Sequence, residues 1–155
     1  MLKRISLCVT SSLVLACAPA AHAHIVDNVL EHSAPNAALQ LTPIGSHESG
    51  VLGKSAAEIV AYHAASQRIL TVNARSGEVD ILDASDPTKP RKIGALSAGG
   101  DKEINSVAVR PDGLAVAAVQ QADKTDNGEA LFFNAETGEE LGRVGVGALP
   151  DKVHL

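Results

Sequence analysis

Ile104-Asn105-Ser106-Val107-Ala108-Val109 decides the fold, because it has one full counterpart in the chain and the beginning of another. Ala57-Glu58-Ile59-Val60-Ala61-Tyr62 precedes it and Pro150-Asp151-Lys152-Val153-His154-Leu155 follows. Each places a polar residue two before a valine that opens a short apolar run. The polar positions 58, 105 and 151 stand 47 and then 46 residues apart. A period of that size marks one blade of a β-propeller, a small sheet that buries its faces only against its neighbours.

Between these anchors the chain breaks into short runs with turn chemistry at every break. The first repeat reads as strands at Glu58 to His63, Arg68 to Asn73, Glu78 to Ala84 and Arg91 to Leu96. Ala65-Ser66-Gln67, Arg75-Ser76-Gly77 and Ser85-Asp86-Pro87-Thr88-Lys89-Pro90 separate them with the Gly, Pro, Asp and Ser residues that reversals need. The second repeat gives Asn105 to Arg110, Leu114 to Gln120, Glu129 to Asn134 and Glu140 to Val146. Its turns are Pro111-Asp112-Gly113, a longer loop with Asn127-Gly128 as its hairpin tip, and Glu136-Thr137-Gly138. Ser55 to Ala65 is Ala-rich and would pass for a helix alone. Its counterpart runs straight into Pro111-Asp112-Gly113, which ends a helix within two turns, so the repeat makes it a strand. Leu39 to Ile44 alternates as an edge strand does, with Pro43 tolerated there.

The expectation is an all-β chain: a partial β-propeller of two four-stranded antiparallel blades plus the start of a third, preceded by a signal peptide. Residues 1–23 are the signal, 24–38 a linker and 39–155 the propeller region. Closing a propeller takes at least four blades, about 184 residues at this period, and 132 follow the signal. Two blades leave apolar faces uncovered, and self-association through them is expected.

Lys3 and Arg4 form a positive n-region, Ile5 to Ala18 an apolar h-region, and Ala21-His22-Ala23 a small-x-small cleavage site. The stretch is shorter than the ~20 apolar residues of a membrane span. Cleavage after Ala23 predicts an exported protein, periplasmic, secreted or at the cell surface. The alternative is lipid attachment at Cys17, for which Leu15 is bulky two positions before. Cys8 and Cys17 are the only cysteines, so the rest of the chain has no thiol for a disulfide or a nucleophile. Removing Lys3 and Arg4 leaves 11 basic against 18 acidic side chains, and no basic stripe with interleaved aromatics argues for nucleic acid. Aromatic residues make up 2% of the chain, so Ala, Val, Leu and Ile must fill the core.

Several motifs fail on their chemistry. Gly50-Val51-Leu52-Gly53-Lys54-Ser55 suggests a phosphate loop, but Glu48 stands where the first glycine belongs. Asp123 to Glu129 resembles a calcium loop at three positions, yet Thr125 and Asn134 replace ligands. Calcium is the one cofactor with any sequence support. The histidines form no His-x-x-His pair, and in Gly45 to Gly50 the hydroxyls beside His47 project to the opposite face of an extended chain. Catalytic residues are therefore not assigned. The candidate site is Glu58, Asn105 and Asp151, which the repeat superposes on successive innermost strands, where they would ring one mouth of the central channel around an ion or small polar ligand. Their alternative role is to satisfy backbone donors between blades.

Ile81-Leu82-Asp83-Ala84-Ser85-Asp86-Pro87-Thr88-Lys89-Pro90 resembles the repeat of secreted bacterial propellers with WD40- or YVTN-like blades, in which a strand ends in Asp before Ser-Asp-Pro-x-x-Pro. With Ser55 to Tyr62, Asn105 to Val109 and Gly147 to Asp151, it resembles the N-terminal part of the choice-of-anchor I family, which is similar to mesenchyme-specific cell-surface glycoproteins. The resemblance implies an exported propeller held at the cell surface by an anchor that differs between members. It implies a non-catalytic recognition or scaffolding role. The alternative is the N-terminal part of a secreted hydrolase of alkaline-phosphatase or phytase type, whose active residues lie outside this sequence.

Overall fold

The computed structural model describes residues 36–39, 43–51, 54 and 56–155. The signal at 1–23, with Cys17 and Ala23, and the linker up to residue 35 lie outside the described residues.

Eight strands form two four-stranded antiparallel sheets, each in simple sequential order. Sheet one holds β1 (Val60–His63), β2 (Arg68–Asn73), β3 (Glu78–Asp83) and β4 (Arg91–Ser97). Sheet two holds β5 (Glu103–Val109), β6 (Leu114–Gln120), β7 (Asn127–Asn134) and β8 (Glu140–Ala148). Short turns permit only neighbouring antiparallel strands, and the turns close alike in both sheets. Ala84 N donates to Gln67 O in the first, and Ala135 N donates to Gly113 O in the second. Asp83 and Asn134 end the third strand of each sheet and accept the backbone N–H two residues on, from Ser85 and Glu136.

The pairing registers fix which residues share a face. In sheet one, Leu70 lies opposite Ile81, Val72 opposite Val79, and Val79 opposite Leu96. This is the trailing face, turned toward sheet two. In sheet two, Val116 opposite Phe132 and Ala118 opposite Ala130 occupy the matching trailing positions. The other, leading face of sheet two carries Val107, Ala117, Leu131 and Phe133, which join the trailing face of sheet one in a single core. Phe133, Leu70, Ile104 and Leu131 are the largest fully buried side chains. With so few aromatics, packing density comes from interdigitated aliphatics, and Ala115, Ala117 and Ala118 let β6 approach closely.

Two devices join the sheets outside this core. Lys102, in the link from β4 to β5, pairs with Glu129 at 2.9 Å, and Arg143 bridges Glu129 to the Ala98 carbonyl of the same link. Gly77 takes φ +65° and passes under this link, where a Cβ would stand 2.4 Å from Lys102 O. No other residue fits there.

The expected edge strand at Leu39 to Ile44 falls largely outside the described residues, of which Leu39, Pro43 and Ile44 are exposed coil. The structure corrects one expectation. Asn127-Gly128 is not a hairpin tip: Asn127 opens β7, and neither residue has positive φ. The reversal instead uses Asp123, whose Oδ1 accepts from Thr125 N at 2.9 Å and Thr125 Oγ1 at 2.7 Å. Gly128 is needed for closeness, since a Cβ would sit 2.5 Å from the Pro150 ring. Within the Ala-rich stretch, Val60–His63 forms β1 as expected, and none of its described residues is helical.

Candidate functional site

The repeat anchors converge on one open cleft of about 570 Å³, lined by β1, β5 and the segment from Asp151 to His154. The three elements are the innermost strands of the two sheets and the start of the third repeat. Ile59, Ala61 and Tyr62 supply one side, Asn105 to Val109 the floor, and Asp151 to His154 the other side.

Asn105 owes its position to a bulge. The register of β5 on β6 shifts between Ile104 and Ser106, so Asn105 is the extra residue and its side chain leaves the ladder. Its amide is then held on both hydrogens: Nδ2 donates to Gln120 Oε1 at 2.8 Å and to Pro150 O at 3.0 Å. Gln120 is itself buried and donates Nε2 to Glu103 Oε2 at 2.6 Å, which fixes its carbonyl toward Asn105. With both donors engaged, Oδ1 is the atom of Asn105 left to accept a further hydrogen bond. Ser106, also buried, accepts Val153 N at 3.4 Å. Asn105 and Ser106 together therefore seat the third repeat against β5.

Glu58 occupies the matching point of sheet one, where Val72 N donates to Ile59 O and Val72 O accepts Glu58 N, so that two residues face one. Its side chain is exposed and is not part of the cleft wall. Asp151 is exposed and does line the cleft. Of the three sequence candidates, the fold thus brings Asn105 and Asp151 to one cleft and leaves Glu58 beside Ile59 at its edge. Tyr62, Lys152 and His154, which sequence reasoning passed over, stand on the same cleft. Their signal was the repeat itself, read only at its polar position and not at the residues that follow.

Other sequence motifs resolve into local structure. Among the described residues no group of three His, Cys, Asp or Glu side chains is arranged to hold a metal ion. The Asp123 carboxyl, in the calcium-like loop, lies below the usual carboxylate range because the backbone and hydroxyl of Thr125 bond to it. Ser46, His47 and Glu48 are exposed coil. A serine–histidine contact does exist elsewhere: Ser66 Oγ lies 2.6 Å from His63 Nδ1. His63 Nε2 is 3.2 Å from Pro111 O, and a carbonyl only accepts, so Nε2 carries the proton and Nδ1 accepts from Ser66. This pair ties the first turn of sheet one to the first turn of sheet two.

Charge is concentrated away from the cleft. Asp83 is held at about 2 by the Ser85 backbone N–H first, then by the Ser85 hydroxyl, with Arg91 and Arg68 adding to it. Glu129 titrates below its ordinary value because Lys102 and Arg143 donate to it. Asp80, buried on β3, accepts Asn73 Nδ2 at 3.2 Å and has Lys92 Nζ 2.7 Å from Oδ1, an ionic contact outside hydrogen-bonding angles.

Two sequential four-stranded sheets sharing one core, with a third repeat seated on the second, define a repeat-built all-β domain. Residues 58–155 match the choice-of-anchor I domain, and the chain belongs to that family. Comparison with curated proteins and with solved structures gives no match. Membership in a family defined by its anchors indicates a surface-associated or exported protein with an anchor-related domain. Among the described residues no helix is long and apolar enough to cross a membrane.

Proposed function

We propose that the chain is an exported, non-catalytic part of a β-propeller that serves recognition or scaffolding at the cell surface or in the periplasm. The observation that carries this reading is the convergence of β1, β5 and Asp151–His154 on one cleft in repeat order, as successive blades present their inner strands to a central channel. The ligand mouth is this cleft. Asn105 Oδ1 and the Asp151 carboxylate supply acceptors, Lys152 a donor, and Tyr62 an exposed ring. A small polar organic ligand suits this lining better than calcium, because Asp151 is the only carboxylate among its described residues and hard cations favour several oxygen ligands. Glu58 then tunes the rim rather than contacting the ligand.

Export is tested by fractionating cells that express the full chain or a form lacking Met1 to Ala23. The full chain is expected outside the cytoplasm with His24 at its N-terminus by mass spectrometry, and the shortened form inside. A diacylated Cys17 on the exported product would replace the soluble form with a lipid-attached one, and cytoplasmic retention of the full chain would overturn the proposal.

A further inference from the structure

Asn127 is the one asparagine of this chain followed by glycine, and it is exposed at the start of β7. That pair has a chemistry of its own, because glycine has no side chain to shield its backbone nitrogen from the amide of a preceding asparagine. The bond from Gly128 N to Asn127 Cγ forms, the Cγ–Nδ2 bond breaks, and ammonia leaves with the proton of the Gly128 nitrogen. Water then opens the resulting cyclic imide. Attack at Cγ gives aspartate. Attack at the main-chain carbonyl gives isoaspartate, in which the chain runs on through the side chain, and on either route the Gly128 nitrogen recovers a proton from the water.

The fold opposes this reaction. Asn127 pairs with Ala148 in the β7–β8 ladder, and Gly128 is buried between the Pro150 ring and Val119 O, where a Cβ would stand 2.5 Å from one and 2.6 Å from the other. The attack requires the Gly128 nitrogen to turn toward Asn127 Cγ, and a backbone packed this closely on both sides has no room to turn. Pro150 must first lift. Its carbonyl is held by Asn105 Nδ2 at 3.0 Å. Against that bond stands Leu149 at φ +51°, a left-handed conformation that a bulky side chain disfavours, adopted here directly before a proline. Seating Pro150 therefore stores strain in the joint, and lifting it releases that strain. We infer that Asn127 is a deamidation site gated by the Leu149–Pro150 joint. Closed, the joint shields Gly128, and opened, it admits the reaction. Isoaspartate lengthens the main chain between Asn127 and Gly128, so Gly128 no longer falls between Pro150 and Val119 and the joint does not close again. The change is one-way, and its consequence for the cleft is loss of the Asp151–His154 side. The gating itself does not depend on what the cleft binds.

The test follows the full chain at neutral pH by peptide mass spectrometry, which reads aspartate and isoaspartate at position 127 against time. The folded chain is expected to convert at least about tenfold more slowly than the same chain in denaturant, because only locally opened molecules react. Asn105→Ala removes the bond to Pro150 O and should speed conversion about fivefold. Leu149→Gly relieves the strain and should slow it about threefold. Val79→Ala weakens the shared core away from the joint and should leave the rate unchanged. Far-UV circular dichroism checks folding. If Asn105→Ala loses its sheet signal, Pro150→Ala replaces it, since it strips the ring from beside Gly128 and should accelerate conversion likewise. Conversion of the folded chain at the denatured rate, a wild-type rate in Asn105→Ala, a faster Leu149→Gly, or equal acceleration by Val79→Ala would each overturn the inference.

Discussion

Sheets one and two are the same four-stranded plan executed with different partners, and the contrast separates what a repeat dictates from what neighbours dictate. The repeat sets the direction of every side chain: Val60 and Val107 point the same way from their strands, as do Asp80 and Leu131, and Asn73 and Val119. Burial follows the neighbour instead. Sheet two meets sheet one with an aliphatic and aromatic surface, and its charges stay at the margin in the Lys102–Glu129–Arg143 group. Sheet one carries Asp80 where sheet two has Leu131, and a local group of Asn73 and Lys92 shields it. One sheet is held chiefly by its partner, and the other supplies part of its own cover.

The largest expected disruption of this contrast is Phe133→Ala. Phe133 is fully buried at the centre of the shared core, and its truncation should cost about 3–5 kcal/mol in chemical denaturation. The loss belongs to both sheets at once, so a single transition moves to lower denaturant rather than splitting in two.

Next is the polar core of sheet one. Asp80→Leu copies the residue of sheet two but strands the Asn73 amide, and should cost about 1–3 kcal/mol. Adding Asn73→Val, again the residue of sheet two, removes the stranded donor and should recover most of that loss. Unchanged stability in the double variant relative to Asp80→Leu would mean that Asn73 matters mainly through the bond from Ser76 N to its Oδ1.

Val107→Ala and Val60→Ala are the same substitution at the same repeat position. Two buried methyl groups correspond to about 1.6 kcal/mol at Val107. At exposed Val60 the change should stay within about 0.5 kcal/mol, and thermal melts of the two variants side by side provide the check.

The smallest effect is acid sensitivity. The Glu129 carboxyl is depressed in the folded chain, so its contribution is present above its ordinary value near 4.5 and fades as pH falls through the lowered folded value. Thermal stability should decline below about pH 4.5, and Glu129→Gln should flatten part of that decline.

Much of the architecture was legible because strand periodicity and turn residues agree with the repeat. Arg68–Asn73 and Leu114–Gln120 are bounded in the structure where alternation and turn chemistry bound them in the sequence. Asn127-Gly128 misled because glycine was read for its dihedral freedom, whereas the fold uses its lack of a side chain beside Pro150. At the cleft, superposition gave Glu58, Asn105 and Asp151 equal standing, and the fold sets only the last two on the lining. A repeat position shows where a residue starts, and only the bulge and the Gln120 bond show where the Asn105 amide ends.

His63 gives access to a motion that bulk unfolding would hide. Its Nε2 proton is covered by the Pro111 carbonyl across the gap between the first turns of the two sheets. Parting of the sheets exposes that proton while every strand ladder stays intact, whereas fraying of either sheet from its outer strand leaves it covered. Solvent exchange at this one imidazole nitrogen therefore times the separation of the two sheets as rigid bodies, apart from the amide exchange that times their unravelling.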